Sequence, residues 1–444
     1  MPQEQNIMAT MPVKRLVLHM SWPIMLSMLM QAVYNLVDSI FVARISDEAF
    51  LALSYAYPIQ TLMIAFCVGT GVAFAAILSK RLGEGKMEQV ISVVLHGFLL
   101  FFSCWVLFFC FGLFGAAPFL RTCTDTGAVA QMGAEYLTIC CCCSFGICTQ
   151  FPIERILQAT GHPIGFMAVQ GTGAVLNLIL DPIFIFHLGL GVKGAAIATV
   201  IGQAAGACLG LFLLFCIRRQ LPLTLKGFRF QPQLVREIGS VAIPAILMQS
   251  LVSVMSLGLN AILRLWSETA VWVLGAYFKI QSFVFMPIFS INNALIAITS
   301  YNDGASRRDR ARQAIHFGIV LAICIALGGA ILLSAAVSPL LTTCFDAGQA
   351  ALELGIPSLR LTALSFPIAA VSIILSAAFQ SLGHSRYSLT VSLLRFVLIL
   401  LPVSYVLVKL VPNLVFLSFF LTESVAALVS LALYHRVKAT MLTD

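Results

Sequence analysis

The sequence carries very little charge: only 10% of its 444 residues are Asp, Glu, Lys or Arg, whereas 60% are hydrophobic. A soluble domain has about 25% charged residues, so this composition cannot cover a water-exposed surface. The mean hydropathy of +0.99 points in the same direction. The chain is therefore predicted to be an all-α polytopic membrane protein.

Several chemical signatures are also missing. The sequence has no HExxH motif, no phosphate-binding loop and no evident Ser/His/Asp grouping, and no Cys-x-x-Cys pair lies beside histidines at zinc spacing. Basic residues concentrate in short connectors without interleaved aromatic residues, so the net charge of +8 does not indicate nucleic-acid binding. An enzyme, an ATP-driven pump, a cofactor and a nucleic-acid partner are therefore not expected.

Long apolar runs are what the sequence contains instead. A helix needs about 20 apolar residues to cross a bilayer. The runs that meet this length are 16–43, 51–79, 90–117, 131–152, 164–187, 192–217, 237–263, 269–300, 314–339, 350–378, 388–410 and 413–434. Twelve transmembrane helices are therefore predicted, several of them long enough to tilt or to extend beyond the bilayer.

Lysine and arginine are distributed unevenly among the connectors. Eighteen lie on the side that holds both termini, Arg155 among them, five lie on the other side and three fall inside helices. Cytoplasmic loops are enriched in these residues, so both termini are predicted to be cytoplasmic, with the protein in the plasma (inner) membrane. Membrane lipid is then its surroundings, and a monomer is the default expectation.

The chain repeats itself at a nearly constant offset. Matched residues lie 221 or 222 positions apart: Pro23 with Pro244, Ile59-Gln60 with Ile280-Gln281, and Gln158–His162 with Gln380–His384. The repeated Gln-x-x-Gly-His motif is interpreted as a helix-end turn. The predicted division is a six-helix lobe at 1–220, a basic connector at 221–236 and a second six-helix lobe at 237–444. Two pseudo-symmetric bundles of this kind are typical of transporters that bind their substrate between the lobes.

One carboxylate, Asp38, interrupts the first apolar run. Helical spacing places Gln31, Tyr34 and Asn35 on the same face as Asp38. A carboxylate inside a membrane costs several kcal/mol unless it is solvated, protonated or paired. A functional role is therefore expected for Asp38.

A second intramembrane carboxylate, Asp181, shares a helix face with Asn177 and precedes Pro182. Proline cannot donate a backbone hydrogen bond, so a kink is predicted there. Counted from the cytoplasmic ends of their helices, Asp38 and Asp181 lie about 33 and 26 Å up. Thr199 lies at a comparable level on the sixth helix. These four polar side chains are predicted to converge in the outer half of the membrane.

Convergence of two carboxylates has a chemical consequence. They cannot both stay ionised in an apolar pocket, so the pair is expected to take up a proton near neutral pH. The same oxygen atoms, with those of Asn177 and Thr199, also suit a Na⁺ ion. Either cation would change the charge of the pocket beside the predicted kink and so act as a switch. The alternative is that each aspartate only forms hydrogen bonds that support packing.

The second half carries different intramembrane charges. Lys279, Arg360, Arg395 and Glu423 lie inside its apolar runs. They form either a structural ion-pair network or part of a cavity that contacts a substrate. The candidate substrate-cavity residues are Gln31, Tyr34, Asn35, Lys279 and Arg395.

The motifs resemble those of the multidrug and toxic compound extrusion (MATE) family of cation-coupled antiporters. The resemblance is carried by Pro23…Tyr34-Asn35…Asp38…Arg44, by Asn177…Asp181-Pro182-Ile-Phe, by Gly191-Val-Lys-Gly194 through Thr199, and by Gln380…Gly383-His384. It covers nearly the whole chain. The sequence looks most similar to the branch named for the DNA-damage-inducible F protein.

This resemblance implies two six-helix bundles around a central cavity that opens to each side of the membrane in turn. It implies efflux of amphipathic organic molecules in exchange for H⁺ or Na⁺. In that branch the coupling site lies in the first lobe, at positions matching Asp38, Asn177, Asp181 and Thr199. The sodium-coupled branch uses acids in the second lobe, whereas 248–260 and 365–380 contain no carboxylate here.

Other functions stay open at this stage. A flippase or exporter of a lipid-linked or anionic metabolite would suit the basic residues of the second half. A membrane-embedded enzyme fits poorly, because no nucleophile or metal cluster is apparent. A receptor or scaffold would need neither the internal repeat nor the paired aspartates.

Overall fold

The computed structural model describes residues 6–124, 126–218, 221, 229–345 and 347–443. In the first part of this range the helices are α1 (Ile7–Thr10), α2 (Val13–Ala43), α3 (Asp47–Gly83), α4 (Met87–Cys110), α5 (Ala116–Cys123), α6 (Gly127–Cys142), α7 (Phe145–Ala159), α8 (Pro163–Pro182) and α9 (Gly191–Cys216). A π-helical segment, Phe111–Gly115, links α4 to α5, and another, Ile183–His187, follows α8. The second of these segments directly follows Pro182, whereas the kink predicted at that proline stays a prediction.

The second part has a similar order. Its helices are α10 (Pro232–Arg264), α11 (Glu268–Gly304), α12 (Arg308–Pro339), α13 (Gln349–Ala363), α14 (Phe366–Ser381), α15 (Ser385–Leu393), α16 (Leu400–Leu410) and α17 (Leu417–Thr443). π-Helical segments occur here too, at Leu340–Cys344 after α12 and at Leu394–Leu398 between α15 and α16. A single 3₁₀ turn, Pro412–Leu414, precedes α17. The described chain is thus all-helical, as predicted.

Among the described residues, ten helical stretches are long and apolar enough to cross a membrane singly. Two further pairs, α6 with α7 and α13 with α14, qualify together and bend by 45° and 48°. Counting each pair as one span gives twelve candidate spans, in agreement with the hydropathy pattern. The pattern did not predict the bends. In each pair the serine at the break (Ser144, Ser365) donates its hydroxyl to a backbone carbonyl three residues earlier, at 2.6 Å, which competes with the helical hydrogen bonds.

Both Gln-x-x-Gly-His motifs end a helix. Gly161 and Gly383 have φ angles of +83° and +79°, a left-handed conformation that favours glycine. The backbone N–H of the histidine that follows each glycine donates back to the preceding helix, at 2.8 and 2.7 Å, a pattern that closes helix C-termini. Burial lowers the pKa of His162. The interpretation of the motif as a helix-end turn is confirmed.

Residue contacts group the chain into two compact units. The first contains the residues through Thr10 together with Trp22–Ala242, and its core includes the fully buried rings of Phe74 and Phe101. The second contains Met11–Ser21 and the chain from Ile243 onward. The first turns of α2 therefore group with the second unit, and the first turns of α10 with the first. The predicted lobe boundaries at 220 and 237 stay a prediction.

The end of the predicted connector packs against the first unit. The backbone N–H of Gln231 donates to Nε2 of the buried His96 at 2.8 Å, and the ring of Phe230 stacks on the imidazole at 5.7 Å. Because α10 begins at Pro232, the last residues of the predicted 221–236 connector are already helical. Residues 222–228 of that connector lie outside the described part of the chain.

Glycines bring α8 and α9 into close contact. A Cβ atom on Gly202 would lie 2.6 Å from the carbonyl oxygen of Gly173, and one on Gly206 would lie 2.9 Å from that of Val169. Helix backbones can approach this closely only where side chains are small. The close approach places Thr199, one turn before Gly202, beside the polar face of α8.

This packing predicts opposite effects for two Gly→Ala substitutions. Gly202→Ala should lower the thermal stability, because its methyl group would meet helix backbone that cannot move aside. Gly328→Ala in α12 should leave stability unchanged or raise it, because no atom lies within 4 Å of its Cβ position and alanine is favoured over glycine in helices by about 1 kcal/mol. Thermal unfolding in detergent, followed with a thiol-reactive dye on the buried cysteines, measures both. Equal stability of Gly202→Ala and the wild type would contradict the close contact.

Candidate functional site

A hydrogen-bonded cluster of polar side chains links α8 to α9 inside the first unit. The amide nitrogen of Asn177 lies 3.3 Å from Oδ1 of Asp181 and 3.2 Å from the hydroxyl of Thr199. The Thr199 hydroxyl in turn donates to the carbonyl oxygen of Ala195 at 3.0 Å, so it accepts from Asn177. Asp181 is completely buried and Asn177 is 2% exposed. The structure thus brings together three of the four residues that helical spacing and depth had selected.

The fourth residue, Asp38, reaches the cluster from α2. Its carboxyl group lies close enough to that of Asp181 for the two groups to interact directly. An ionised carboxylate can only accept hydrogen bonds, so two of them bond to each other only when one carries a proton. The arrangement therefore suits a carboxyl pair that holds at least one proton.

Three oxygen atoms of this cluster are buried without a donor. They are Oδ1 of Asp38, Oδ1 of Asn177 and Oδ2 of Asp181, and none of the described residues donates to them. Each unsatisfied buried acceptor costs about 1–3 kcal/mol. A proton or a small cation bound among them would remove much of that cost, and an all-oxygen donor set fits Na⁺ as well as H⁺.

The charge of the cluster limits which cation it suits. Within the described ranges no three His, Cys, Asp or Glu side chains meet in a group able to hold a metal ion. Divalent metal sites usually combine more carboxylate or carbonyl oxygens than this cluster offers. Two carboxyl groups match a monovalent cation.

Tyr34 and Gln31 extend the cluster along α2. Tyr34 is close enough to interact electrostatically with both carboxyl groups, and its side chain is hydrogen-bonded to Gln31. The carbonyl oxygen of Gln31 also receives a long contact of 3.5 Å from the amide nitrogen of Gln170 on α8. Asn35 is exposed on the same helix. Tyr34 and Gln31 therefore adjoin the carboxyl pair.

Sequence reasoning missed two residues beside the pair, Gln60 on α3 and Tyr136 on α6. The amide nitrogen of Gln60 donates to the Tyr136 hydroxyl at 2.9 Å, and Tyr136 interacts electrostatically with Asp38. The internal repeat contained a signal for Gln60, through the match of Ile59-Gln60 with Ile280-Gln281. Gln281, the repeat partner of Gln60, likewise bonds to a buried tyrosine, Tyr277.

The prediction that Arg155 lies in a cytoplasmic connector was wrong. Arg155 is 6% exposed inside α7, and the neighbouring Glu154, only 2% exposed, accepts a hydrogen bond of 2.7 Å from Gln150. The error arose because α7 continues to Ala159, beyond the predicted end of that span at 152. Without Arg155 the bias of lysine and arginine is 17 to 5, so its direction is unchanged.

The charged residues of the second half do not form one network. Arg395 and Glu423 form a buried ion pair, in which Nη2 and Nε of Arg395 lie 2.6 and 3.1 Å from Oε1 of Glu423. Lys279 is exposed, with its ammonium 5.9 Å from the centre of the Phe345 ring. Arg360 is also exposed and donates to a backbone carbonyl of α12 at 3.2 Å. Of the four candidates, only Arg395 and Glu423 interact with each other.

Because oxygen atoms of the cluster lack donors, we expect the carboxyl pair to reduce the thermal stability of the protein. Asp38→Asn should raise the thermal stability by about 1–3 kcal/mol, because the amide removes one buried charge and can donate a hydrogen bond to Asp181. Thermal unfolding in detergent at mildly alkaline pH, where protonation is least favourable, measures the change. Asp309→Asn is the matched control, because the Asp309 side chain is 89% exposed and its substitution should have no effect. A less stable Asp38→Asn variant beside an unchanged control would contradict the interpretation of the orphaned oxygens.

Known proteins resemble this chain in sequence and in fold. The model of the MatE family matches residues 23–183 and 244–406, one segment in each half. The chain is 25% identical to the FAD transporter of Shewanella oneidensis over 418 residues, which cover 90% of both proteins. It is 23% identical to the multidrug export protein MepA of Staphylococcus aureus over 450 residues, which cover 98% of this chain and 96% of that protein. Its fold is similar to that of a multidrug resistance MATE family transporter in the outward-facing conformation, with a TM-score of 0.92, 24% identity and 97% of each chain covered.

Proposed function

The chain belongs to the MatE family of multi-pass membrane transporters, and from that premise we propose that it is a secondary active antiporter that exports small organic molecules in exchange for a monovalent cation. The observation that carries the proposal is the pair Asp38–Asp181, in which each residue has a buried oxygen without a donor. Such a pair has no evident structural benefit, since unpaired acceptors destabilise a fold. Reversible binding of a cation gives the pair a use.

We propose H⁺ as the coupling ion, with Asp38 and Asp181 as its carriers and Asn177 and Thr199 as their hydrogen-bonding partners. A single shared proton leaves the pair with one negative charge, and a second proton makes it neutral. In apolar surroundings the neutral form packs more favourably. Uptake and release of a proton therefore alter the interaction between α2 and α8.

The neighbouring helices offer a way for that change to spread. Asp181 immediately precedes Pro182 and the π-helical segment Ile183–His187, and α2 contains Pro23. Irregular helix segments of this kind bend more readily than a regular α-helix. Alternating access, with protonation favouring one arrangement and substrate the other, follows from coupling the pair to these two helices.

Two relatives support different substrates. MepA is named as a multidrug export protein, which supports export of amphipathic organic compounds that contact Tyr34, Gln31 and Asn35. The FAD transporter supports a second candidate, export of an anionic metabolite, and the buried Arg395 in the second half favours it. The lack of carboxylates at 248–260 and 365–380 supports the branch named for the DNA-damage-inducible F protein. The bias of basic residues supports cytoplasmic termini in the plasma (inner) membrane.

A transport assay tests the coupling. The purified protein is reconstituted into liposomes, and ethidium movement is followed while a pH gradient or a Na⁺ gradient is imposed separately. We expect the pH gradient to drive transport in the wild type. Asp38→Asn and Asp181→Asn should each reduce the driven rate about tenfold or more, because one proton carrier is lost. Asp309→Asn should transport like the wild type.

Three other outcomes would change or reject this proposal. Transport driven by Na⁺ alone would replace H⁺ with Na⁺ at the same residues. Full activity of Asp38→Asn under either gradient would remove the carboxyl pair from the coupling mechanism. Failure of the wild type to move either ethidium or flavin mononucleotide under both gradients would reject the antiporter proposal.

A further inference from the structure

We propose that Arg395 forms a substrate subsite in the second unit that binds a carboxylate or phosphate oxygen of an aromatic substrate, with Glu423 as its positioning residue. The inference rests on the proposed transport function and adds a substrate class to it. The evidence for it is which atoms of Arg395 and Glu423 bond to each other and which atoms stay without a partner.

Only two of the three guanidinium nitrogens of Arg395 form hydrogen bonds with described residues. Its Nε and Nη2 atoms both donate to one oxygen, Oε1 of Glu423, at 3.1 and 2.6 Å. No described residue forms a hydrogen bond with the third nitrogen, Nη1. Nη1 is also not one of the polar atoms that are fully buried without a partner, so it is accessible. Arg395 therefore presents one accessible donor edge, while Glu423 fixes the orientation of the group from the opposite side.

A purely structural role explains this pair poorly. Arg395 and Glu423 are only 8% and 9% exposed, and removing two charges from water costs more than a single ion pair usually returns. Apolar side chains of similar volume would pack the same space at least as well. The pair also leaves Oε2 of Glu423 buried without a partner, which adds to the cost. An arrangement that is expensive for packing indicates a recognition role.

The position of Arg395 along its span supports recognition. It lies in the π-helical segment Leu394–Leu398 of the candidate span Ser385–Leu410. Ten residues from the start of a helix correspond to about 15 Å, which is near the middle of an apolar layer about 30 Å thick. Transporters bind substrates near this level, and π-helical segments are frequent at functional sites.

The surroundings of Arg395 are aromatic. Its guanidinium carbon lies 5.2 Å from the centre of the Phe396 ring. The fully buried Tyr277 interacts electrostatically with both members of the ion pair and packs on Phe419 with ring centres 4.8 Å apart. Tyr277 and Phe419 are themselves buried, so they support the ion pair from behind, whereas the partly exposed Phe396 can contact a planar partner. The planar guanidinium binds carboxylate and phosphate groups well.

Glu423 also explains how a bound anion would leave again. Its charge balances that of Arg395, so the subsite attracts an acidic group through one directed hydrogen bond and not through a full positive charge. A transporter must release what it binds, and an unopposed buried cation would hold an anion too strongly. Removing the charge of Glu423 should therefore tighten anion binding, whereas removing that of Arg395 should weaken it.

The test compares three fluorescent aromatic probes bound to the purified full-length protein in detergent. Carboxyfluorescein carries carboxylates, flavin mononucleotide carries a phosphate, and ethidium is a cation with no oxygen acceptor. We expect Arg395→Gln to raise the Kd of at least one anionic probe about tenfold and to leave ethidium unchanged. Arg395→Lys should recover only part of the loss, because a single ammonium keeps the charge but cannot bond to Glu423 and to the probe from opposite sides as the planar guanidinium does. Glu423→Gln should lower the Kd of the same anion several-fold.

Controls separate recognition from folding. Arg360→Gln removes an exposed arginine of the same unit and should change no Kd. General damage would shift all probes in one direction and could not give opposite signs for Arg395→Gln and Glu423→Gln. Which anion responds distinguishes a carboxylate from a phosphate preference. Wild-type protein that binds neither anion, or an Arg395→Gln variant that binds both as the wild type does, would overturn the subsite. Binding without gradient-driven transport would instead reject the antiporter proposal and leave the subsite standing.

Discussion

Two carboxyl groups held together inside an apolar helix bundle are the constraint on which the first unit depends. Asp181 is completely buried, and the single amide donor of Asn177 reaches only one of its oxygens. The glycines that bring α8 and α9 together serve this arrangement, because they let Thr199 approach and fix the Asn177 amide. The side chains of the cluster are held in fixed positions, yet several of their buried acceptors lack donors. Such an arrangement is typical of a site that gains activity at the expense of stability.

The two halves share a helical framework and differ in the charges it carries. Each has a bent pair of helices, a left-handed glycine turn and π-helical segments in corresponding spans. The first half buries two acids near its irregular fifth span, whereas the second buries an arginine and a glutamate at the irregular segment of its eleventh. We propose that this difference divides the work, with cation coupling in the first half and recognition of an acidic group in the second.

The sequence predicted the features that depend on local spacing or on bulk hydropathy. Asn177 and Asp181 share a helix face by their four-residue separation, and counting residues from the helix ends placed Asp38 at a matching depth. Features set by tertiary contacts were missed. Glu154 and Arg155 seemed to lie beyond a helix end because hydropathy falls there, although α7 continues and buries both. The bends at Ser144 and Ser365 coincide with hydroxyl-to-carbonyl bonds that a hydropathy profile does not register.

We propose that substrate binding and protonation of the carboxyl pair oppose each other. The most direct test is a count of the protons released when ethidium binds to purified protein in weakly buffered detergent solution, followed with a pH indicator dye. We expect release of about one proton per bound ethidium, since one shared proton is what a close carboxyl pair retains, and no release from Asp181→Asn. Binding of ethidium by the wild type without any release of protons would contradict it.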